Sequence, residues 1–449
     1  MDTQVTFSAR ASLVALGLSI QHMGIWAIIR AHVHIKQKKR THDPLDKLLD
    51  AFINILAGGH GLNEINTRVR PDPALQHAFG RTGCADQSST SRTLNACTVE
   101  NVQQCRQALR EILRQHSRSY RHDYTQHWQL WDIDLTGLTA GRLGEGVTKG
   151  YFAKQKSKRG RQLARLLATF YDEIIVDHLH SGKHQLNQGL RALVLDAEQT
   201  LEIDENKRKN TLIRIDGGGG VEADINWMLQ RYYHILIKIK SWHRAAKLAR
   251  SVREWHADTK VADRQVVWVR EPFVYMQPTR QLAIRTPRPK GGWHYQVLVF
   301  TLTDAMLFEL CRRPMPNVLS DSQVLLAALH ASDLRDGGLE TQNKGDKQGL
   351  GLNKRNKRRF CAQELLVLLA QLAHDCLIWT REDLGRVTPA LEHYGMLRLV
   401  RDVLQIDGAV HWDAAGDISA IDLNARHPLA NTVQQALVLG NSSVNLRKN

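Results

Sequence analysis

Apolar positions recur at three- and four-residue spacing in LLDAFINILAGG (48–59) and again in VQQCRQALREILRQ (102–115), which predicts amphipathic helices in both places. Between them lies Asp86-Gln-Ser-Ser-Thr-Ser-Arg92-Thr-Leu, a polar cluster suited to cap a helix and to present hydroxyls and a guanidinium at its start. A helix-turn-helix recognition helix begins in this way, and so does an ordinary capped helix. The apolar run 11–29 is long enough for a membrane span or signal sequence. However, Gln21 and His22 interrupt it, and no small-residue cleavage site follows, so a buried helix is expected.

At Trp131 the period changes from helical to two. WDIDLTG alternates and places Asp132 and Asp134 on the same face of a strand. GYFAKQKSKRGRQL (150–163) reads as a strand, a basic turn and another strand, and EIIVDHL (173–179) continues the β texture. A helix over 185–207, a short buried strand over 212–216, a helix over 223–231 and a strand over 233–239 follow. This order belongs to a mixed α/β sheet. The β signals of 264–303, broken by Pro and Gly, look inserted rather than continuous with that sheet. Beyond Pro314 and Pro316 helical texture returns, and 363–379 carries a strong apolar face.

Composition then narrows the function. A chain of 449 residues exceeds one ordinary core. Its 43% hydrophobic content and 11 prolines indicate a folded protein. The formal charge of +16 favours a polyanionic partner, nucleic acid above all. Cys84, Cys97, Cys105, Cys311, Cys361 and Cys376 include no CxxC pair, which argues against a disulfide framework or zinc knuckle and fits a reducing cytoplasm.

Chemistry concentrates at strand ends. RIDGGGG (214–220) ends an apolar run on an acid and follows it with glycines: a turn, a phosphate cradle or a metal site. The cradle lacks both the Gly-Lys-Ser/Thr and the GxGxxG spacing. Asp134 and Asp216 each end a β run, so neighbouring strands would bring them to one sheet edge. Glu340 opens a helix-compatible stretch, with Lys347 seven residues on and on the same face. Three hard oxygen ligands with open positions suit Mg²⁺. Two such ions would clamp an in-line phosphoryl displacement. Lys347, Arg335 and the run Lys354, Arg355, Lys357, Arg358 and Arg359 would then hold a strand by its phosphates. His178, His180 and His184 have metal-like spacing but no supporting cysteine, and surface histidines are expected. Trp293 is expected to pack in a core, with stacking on an unpaired base as the alternative.

DIDLTG, RIDGGG and ETQNKGDKQGLGLNKRNKRRF, in that order and preceded by QSSTSRTL, resemble the DDE transposases of bacterial insertion sequences, particularly the cut-and-paste class with a Tyr-Arg-Glu-Lys signature. The resemblance runs from about residue 12 to 430. It implies an α/β fold: a ribonuclease-H-like mixed sheet core interrupted by a β-rich insertion, with a helical N-terminal DNA-binding domain. The implied regions are 1–120 (helical, DNA-binding and dimerisation), 121–245 (first part of the core), 246–320 (insertion), 321–385 (second part, with Glu340) and 386–449 (C-terminal region). The implied activity is Mg²⁺- or Mn²⁺-dependent cutting at transposon inverted-repeat ends and joining of the 3′-hydroxyl to target DNA. Asp134, Asp216 and Glu340 would be the metal ligands, with Asp132 as runner-up for the first. Lys347 would serve catalysis, and Arg92 would join the DNA-binding residues. The implied setting is a homodimer on DNA at the bacterial nucleoid in the cytoplasm, with no membrane partner. Two departures stand out. Ser332 occupies the tyrosine position, and four residues rather than three separate Arg335 from Glu340. Both put positioning of the 5′ strand, and hence activity, in question.

Overall fold

A computed structural model describes residues 4–38, 41–150, 152, 158–239 and 242–440. The chain opens with β1 (Val5–Ser8), followed by α1 (Ala11–His22), α2 (Ile25–His32), α3 (Pro44–Leu56), α4 (Pro73–Ala78), α5 (Gln87–Ala96) and α6 (Val99–His116). The run 11–29 is therefore two helices instead of the one expected. Gly24 takes a left-handed backbone with φ 69° between them, a conformation open to glycine at little cost. Local chemistry sets several helix starts. Asp43 caps α3, with Pro44 as its first residue and Asp46 answering Asp43 in a capping box. Asp86 caps α5 by accepting the Ser88 and Ser89 backbone N–H groups.

The middle of the chain supplies β2 (Gln129–Thr139), β3 (Thr148–Lys149), β4 (Arg159–Ala168), β5 (Glu173–Ser181), α7 (Leu186–Leu201), α8 (Glu205–Lys209), β6 (Thr211–Ile215), α9 (Glu222–Gln230) and β7 (His234–Lys238). The single helix expected over 185–207 is split after Leu201, where Glu202 takes φ 51° and ends α7. The basic turn expected within 150–163 falls mostly outside the described residues. Next come α10 (Trp242–Arg250), β8 (His256–Ala257), β9 (Gln265–Trp268), β10 (Arg280–Pro287), β11 (Trp293–Phe300), α11 (Asp304–Leu310), α12 (Asp321–Gly337) and α13 (Leu339–Gln348). The chain then forms α14 (Phe360–Val387), α15 (Met396–Arg398), β12 (Gly408–Trp412), β13 (Ile418–Leu423) and α16 (Ala430–Gly440).

These elements form two compact units, each discontinuous in sequence. One comprises residues 1–117, 137–161 and 342–449. Its small antiparallel sheet has the order β1-β12-β13, with Val5 opposite His411, so residues from opposite ends of the chain share one ladder. Helix α14 runs through its interior. Among the described residues α14 is the one unbroken helix long and apolar enough to cross a membrane, and most of its residues are buried within the protein.

The other unit comprises residues 118–136 and 162–341. Its sheet runs β4-β2-β6-β7-β11-β10-β9-β8, with β5 also beside β4. Strands β2, β6 and β7 are parallel, and the strands from β11 outward are antiparallel to their neighbours. The β signals of 264–303 therefore extend the sheet, contrary to the expectation that they stand apart from it. Strand β11 hydrogen-bonds directly to β7, with Leu298 opposite Lys238.

Both faces of this sheet are covered, and the period of two divides them. Trp131, Ile133, Ile213, Ile215, Ile235 and Ile237 face one core, shared with α7, α9 and α10. Leu130, Leu212 and Leu236 face the other, shared with α11 and α12. Helix α12 is also fastened by charge to the β8–β9 region. Asp258 accepts from His330 Nε2 at 2.8 Å and from Arg264, whose guanidinium also binds Asp333 on α12.

Candidate functional site

Along the face that meets α12, each parallel strand changes from leucine to charge towards its C-terminus; Asp134 stands in the middle of β2, which runs on to Thr139, and not at the strand end expected. Strand β2 reads Leu130, Asp132, Asp134; β6 reads Leu212 and Arg214, with Asp216 one step beyond; β7 reads Leu236, Lys238. Because the strands are parallel and Asp132 lies opposite Arg214, the charged side chains stack in two layers. The C-terminal edge of such strands is where open α/β sheets place ligands.

The inner layer is closed. Asp132 is fully buried and receives two hydrogen bonds from Arg214, Nε at 2.7 Å and Nη2 at 2.6 Å, plus one from the Thr169 hydroxyl at 2.8 Å. Arg214 spends Nη1 on the Ala331 carbonyl of α12. Every oxygen of Asp132 is thus occupied by the fold, which separates it from Asp134 as a candidate ligand.

The outer layer is open. Asp134 and Glu340 flank Arg335 of α12, at 3.2 Å from Nη2 and 3.7 Å from Nη1. Arg335 is 6% exposed, against 27% for Asp134 and 53% for Glu340. Its Nη2 also donates to the Ile133 carbonyl at 3.2 Å, and among the described residues its buried Nε finds no acceptor. Burial works against the Arg335 charge, but Asp134, Asp132, Asp216 and Glu340 outweigh it and raise its pKa. Asp216, half exposed, faces Lys238 at 3.6 Å. Burial of the Asp216 carboxyl pushes its pKa up; Lys238, the Gly217 N–H and Arg335 together bring it below the usual carboxylate value.

Of Gly217, Gly218 and Gly219, packing demands glycine at the last. A Cβ there would stand 2.7 Å from Ile215 Cγ2 and 3.1 Å from Leu186 Cδ2, whereas Gly218 faces open space. The Gly219 N–H closes a turn onto the Asp216 carbonyl at 3.1 Å, and α9 begins three residues later.

The donors fit a hard divalent cation by their chemistry: carboxylate oxygens partly open to solvent, arriving from β2, the end of β6 and the start of α13. As they stand, with Arg335 among them, no three His, Cys, Asp or Glu side chains among the described residues lie close enough to hold one ion. Lys347 lies half-buried on the last turn of α13, as the helical spacing from Glu340 requires, and belongs to the other unit. Ser332, one turn before Arg335 on α12, is buried.

The basic run 354–359 divides by burial. Arg355 is buried and donates to the Gly59 and Leu350 carbonyls, and desolvation lowers its pKa to about 9. It is spent on the fold and cannot present a guanidinium to DNA, a correction to its expected role. Half-buried Lys357 reaches the Ser91 hydroxyl at 2.5 Å, and burial lowers its pKa. Lys354, Arg358 and Arg359 are exposed, Arg359 donating to the Asn95 carbonyl at 2.9 Å. Arg92 is exposed on α5.

The histidines of 178–184 are packed instead of lying free on the surface. His178 Nε2 pairs with Asp196 at 2.7 Å, and the rings of His180 and His184 stack at 3.7 Å over Gly189, where a Cβ would meet them. Trp293 covers Arg285, which lies between it and Trp255 at 4.4 and 4.3 Å from the ring centroids. Sequence reasoning missed Lys238 and Arg214. The usable signal was a charged residue continuing the leucine phase of a strand, because a buried strand charge requires a partner on its neighbour.

A sequence profile for the transposase DDE domain, group 1, matches residues 5–438. No curated protein sequence matches the chain. Among solved structures the chain is similar to a cryo-EM structure of the piggyBac transposase synaptic complex with hairpin DNA. The two are 11% identical with a TM-score of 0.47, over 90% of this chain and 82% of that one.

Proposed function

The chain belongs to the family of transposases with a group 1 DDE domain, and from that premise we propose that it is an insertion-sequence transposase of the cut-and-paste class. It cuts at the inverted-repeat ends of its element and joins the freed 3′-hydroxyl to target DNA, acting as a dimer on DNA at the bacterial nucleoid. In this reading the sheet and its helices are a ribonuclease-H-like core. Asp134, Asp216 and Glu340 would hold Mg²⁺ or Mn²⁺, which would supply Lewis-acid stabilisation of the attacking and leaving oxygens.

The observation that carries the proposal is that Arg335 lies between Asp134 and Glu340 and also feels the charge of Asp216, three acids distant in sequence. The chain's own groups do the rest. Asp216, held ionised by Lys238, offers a charged oxygen at neutral pH. Arg335 offsets the mutual repulsion of the acids until they are engaged. Lys347, Lys354, Arg358, Arg359 and Arg92 draw the DNA backbone by its phosphates.

The test is cleavage of DNA carrying the element's ends by purified protein with Mg²⁺ or Mn²⁺, beside Asp134→Ala, Asp216→Ala and Glu340→Ala. Metal-dependent nicking abolished in all three variants, with DNA binding kept, supports the reading. Binding without cleavage in the wild type would leave a DNA-binding relative that has lost its chemistry. Cleavage without joining to a target plasmid would leave a nuclease.

A further inference from the structure

Outside the acidic site, the first unit contains a cavity of about 650 Å³ lined by Lys38, His42, Lys47, Arg70, Ser89 and Arg92, with Asp86 as its carboxylate. Its most informative side chain is Lys47 on α3, only 7% exposed. The acids one turn apart on that helix are both claimed by another cation. Arg81 binds Asp46 at 3.0 Å and Asp50 at 3.1 Å, and Arg30 also binds Asp46. Among the described residues Lys47 has neither ion pair nor hydrogen bond. With its stem packed away and its ammonium open to the cavity, Lys47 adds a positive charge to the lining that no carboxylate there pairs with.

The remaining lining agrees. Arg70 and Arg92 bring guanidinium groups from separate segments, and Arg92 uses one N–H on the Ser89 hydroxyl, leaving the other donors of its fork. Asp86, kept ionised, offsets only one of these charges. Its carboxylate is tied to the backbone and hydroxyls of Ser88 and Ser89, and those hydrogen bonds hold its pKa far below the ordinary value. Four cationic side chains face one carboxylate, in a volume large enough for more than a bare ion.

We propose that this cavity is a binding site for the phosphate group of a nucleotide unit, with Lys47 as the ammonium donor and Arg70 and Arg92 as the guanidinium donors. Forked guanidinium donors match phosphate oxygens in geometry as well as charge. The phosphate comes from a DNA strand or from a free phosphate compound. The inference rests on the transposase reading only for that source.

Two measurements on the full-length protein separate the cases. Calorimetric titration with inorganic phosphate, against chloride at equal ionic strength, should show binding that Lys47→Met and Arg92→Gln each weaken about tenfold or more. Duplex DNA binding followed against salt should lose about 0.9 in the slope of log K on log salt in Lys47→Met, the signature of one phosphate contact removed. Both changes together assign the site to DNA. Phosphate binding that is lost in the variants, with an unchanged DNA slope, assigns it to a free phosphate compound. Wild type and variants behaving alike in both measurements overturns the proposal. Arg92 is exposed, so Arg92→Gln gives the reading should Lys47→Met fail to fold. Phosphate titration needs no cleavage, so failure of the catalytic reading and failure of this one are separately visible.

Discussion

Asp132 and Asp134 sit two residues apart on one strand, face the same helix, and end in opposite situations. The inner acid has no exposed surface and is held by Arg214 and Thr169. The outer one is partly exposed and meets Arg335, a cation shared with Glu340. Residue type and strand phase are identical, so the difference comes from depth: one pleat further along β2, the side chain meets the last turn of α12 and solvent together. A paired charge inside that cover is committed to the fold. Beyond it, a charge keeps lone pairs for something that arrives from solution.

This contrast can be broken from either side. The largest expected effect is on the outer layer: Asp134→Ala or Asp216→Ala should reduce metal-dependent cleavage by about 10³-fold or more, several kcal/mol of transition-state stabilisation. Asp216→Ala, whose carboxylate is half exposed, should keep the wild-type urea midpoint. In the inner layer the pattern reverses. Arg214→Ala strands Asp132 as an uncompensated buried charge and should cost about 3–5 kcal/mol in urea unfolding. Cleavage by the fraction that stays folded is then secondary to the loss of fold.

The glycine run gives a finer contrast. Gly219→Ala forces contact with Ile215 and Leu186 and should cost about 1–3 kcal/mol, while Gly218→Ala should stay within about 0.5 kcal/mol. Equal costs would contradict the packing described for that turn. The smallest effect concerns pH. Burial raises the Asp258 pKa, but the hydrogen bond from His330, the Lys260 N–H and Arg264 outweigh it and leave the value at about 2. A depressed folded-state value means stabilisation that is complete above the unfolded carboxylate pKa of about 4. It is lost as pH falls from there through about 2. Wild-type stability should therefore decline more steeply than that of Asp258→Asn across this window, as read by thermal unfolding.

Much of the sheet was legible because alternation is a local signal. The order of strands and helical segments from β2 to β7 follows from it, as does the placing of Asp216 at a strand end, whereas Asp134 falls in the middle of β2, which outruns the local alternation. The attachment of β11 to β7 was not legible, because Pro and Gly between the β signals mark turns without saying which strand lies next door. The inner salt bridge escaped for a related reason: Arg214 looks anomalous within its apolar strand until the parallel register sets Asp132 opposite. Arg355 shows the limit of composition. Within a basic run its charge resembles its neighbours', and only tertiary burial against two backbone carbonyls distinguishes it.

The fastening of α12 constrains how the outer acids can be released. His330 and Asp333 tie the helix to Asp258 and Arg264, and its Ala331 carbonyl is held by Arg214. Sliding the helix by a turn, a travel of about 5.4 Å, would rupture all three ties at once. A torsion about the Arg335 side chain would break none of them, so a local swing of its long flexible stem on a stationary rail is the motion these ties permit.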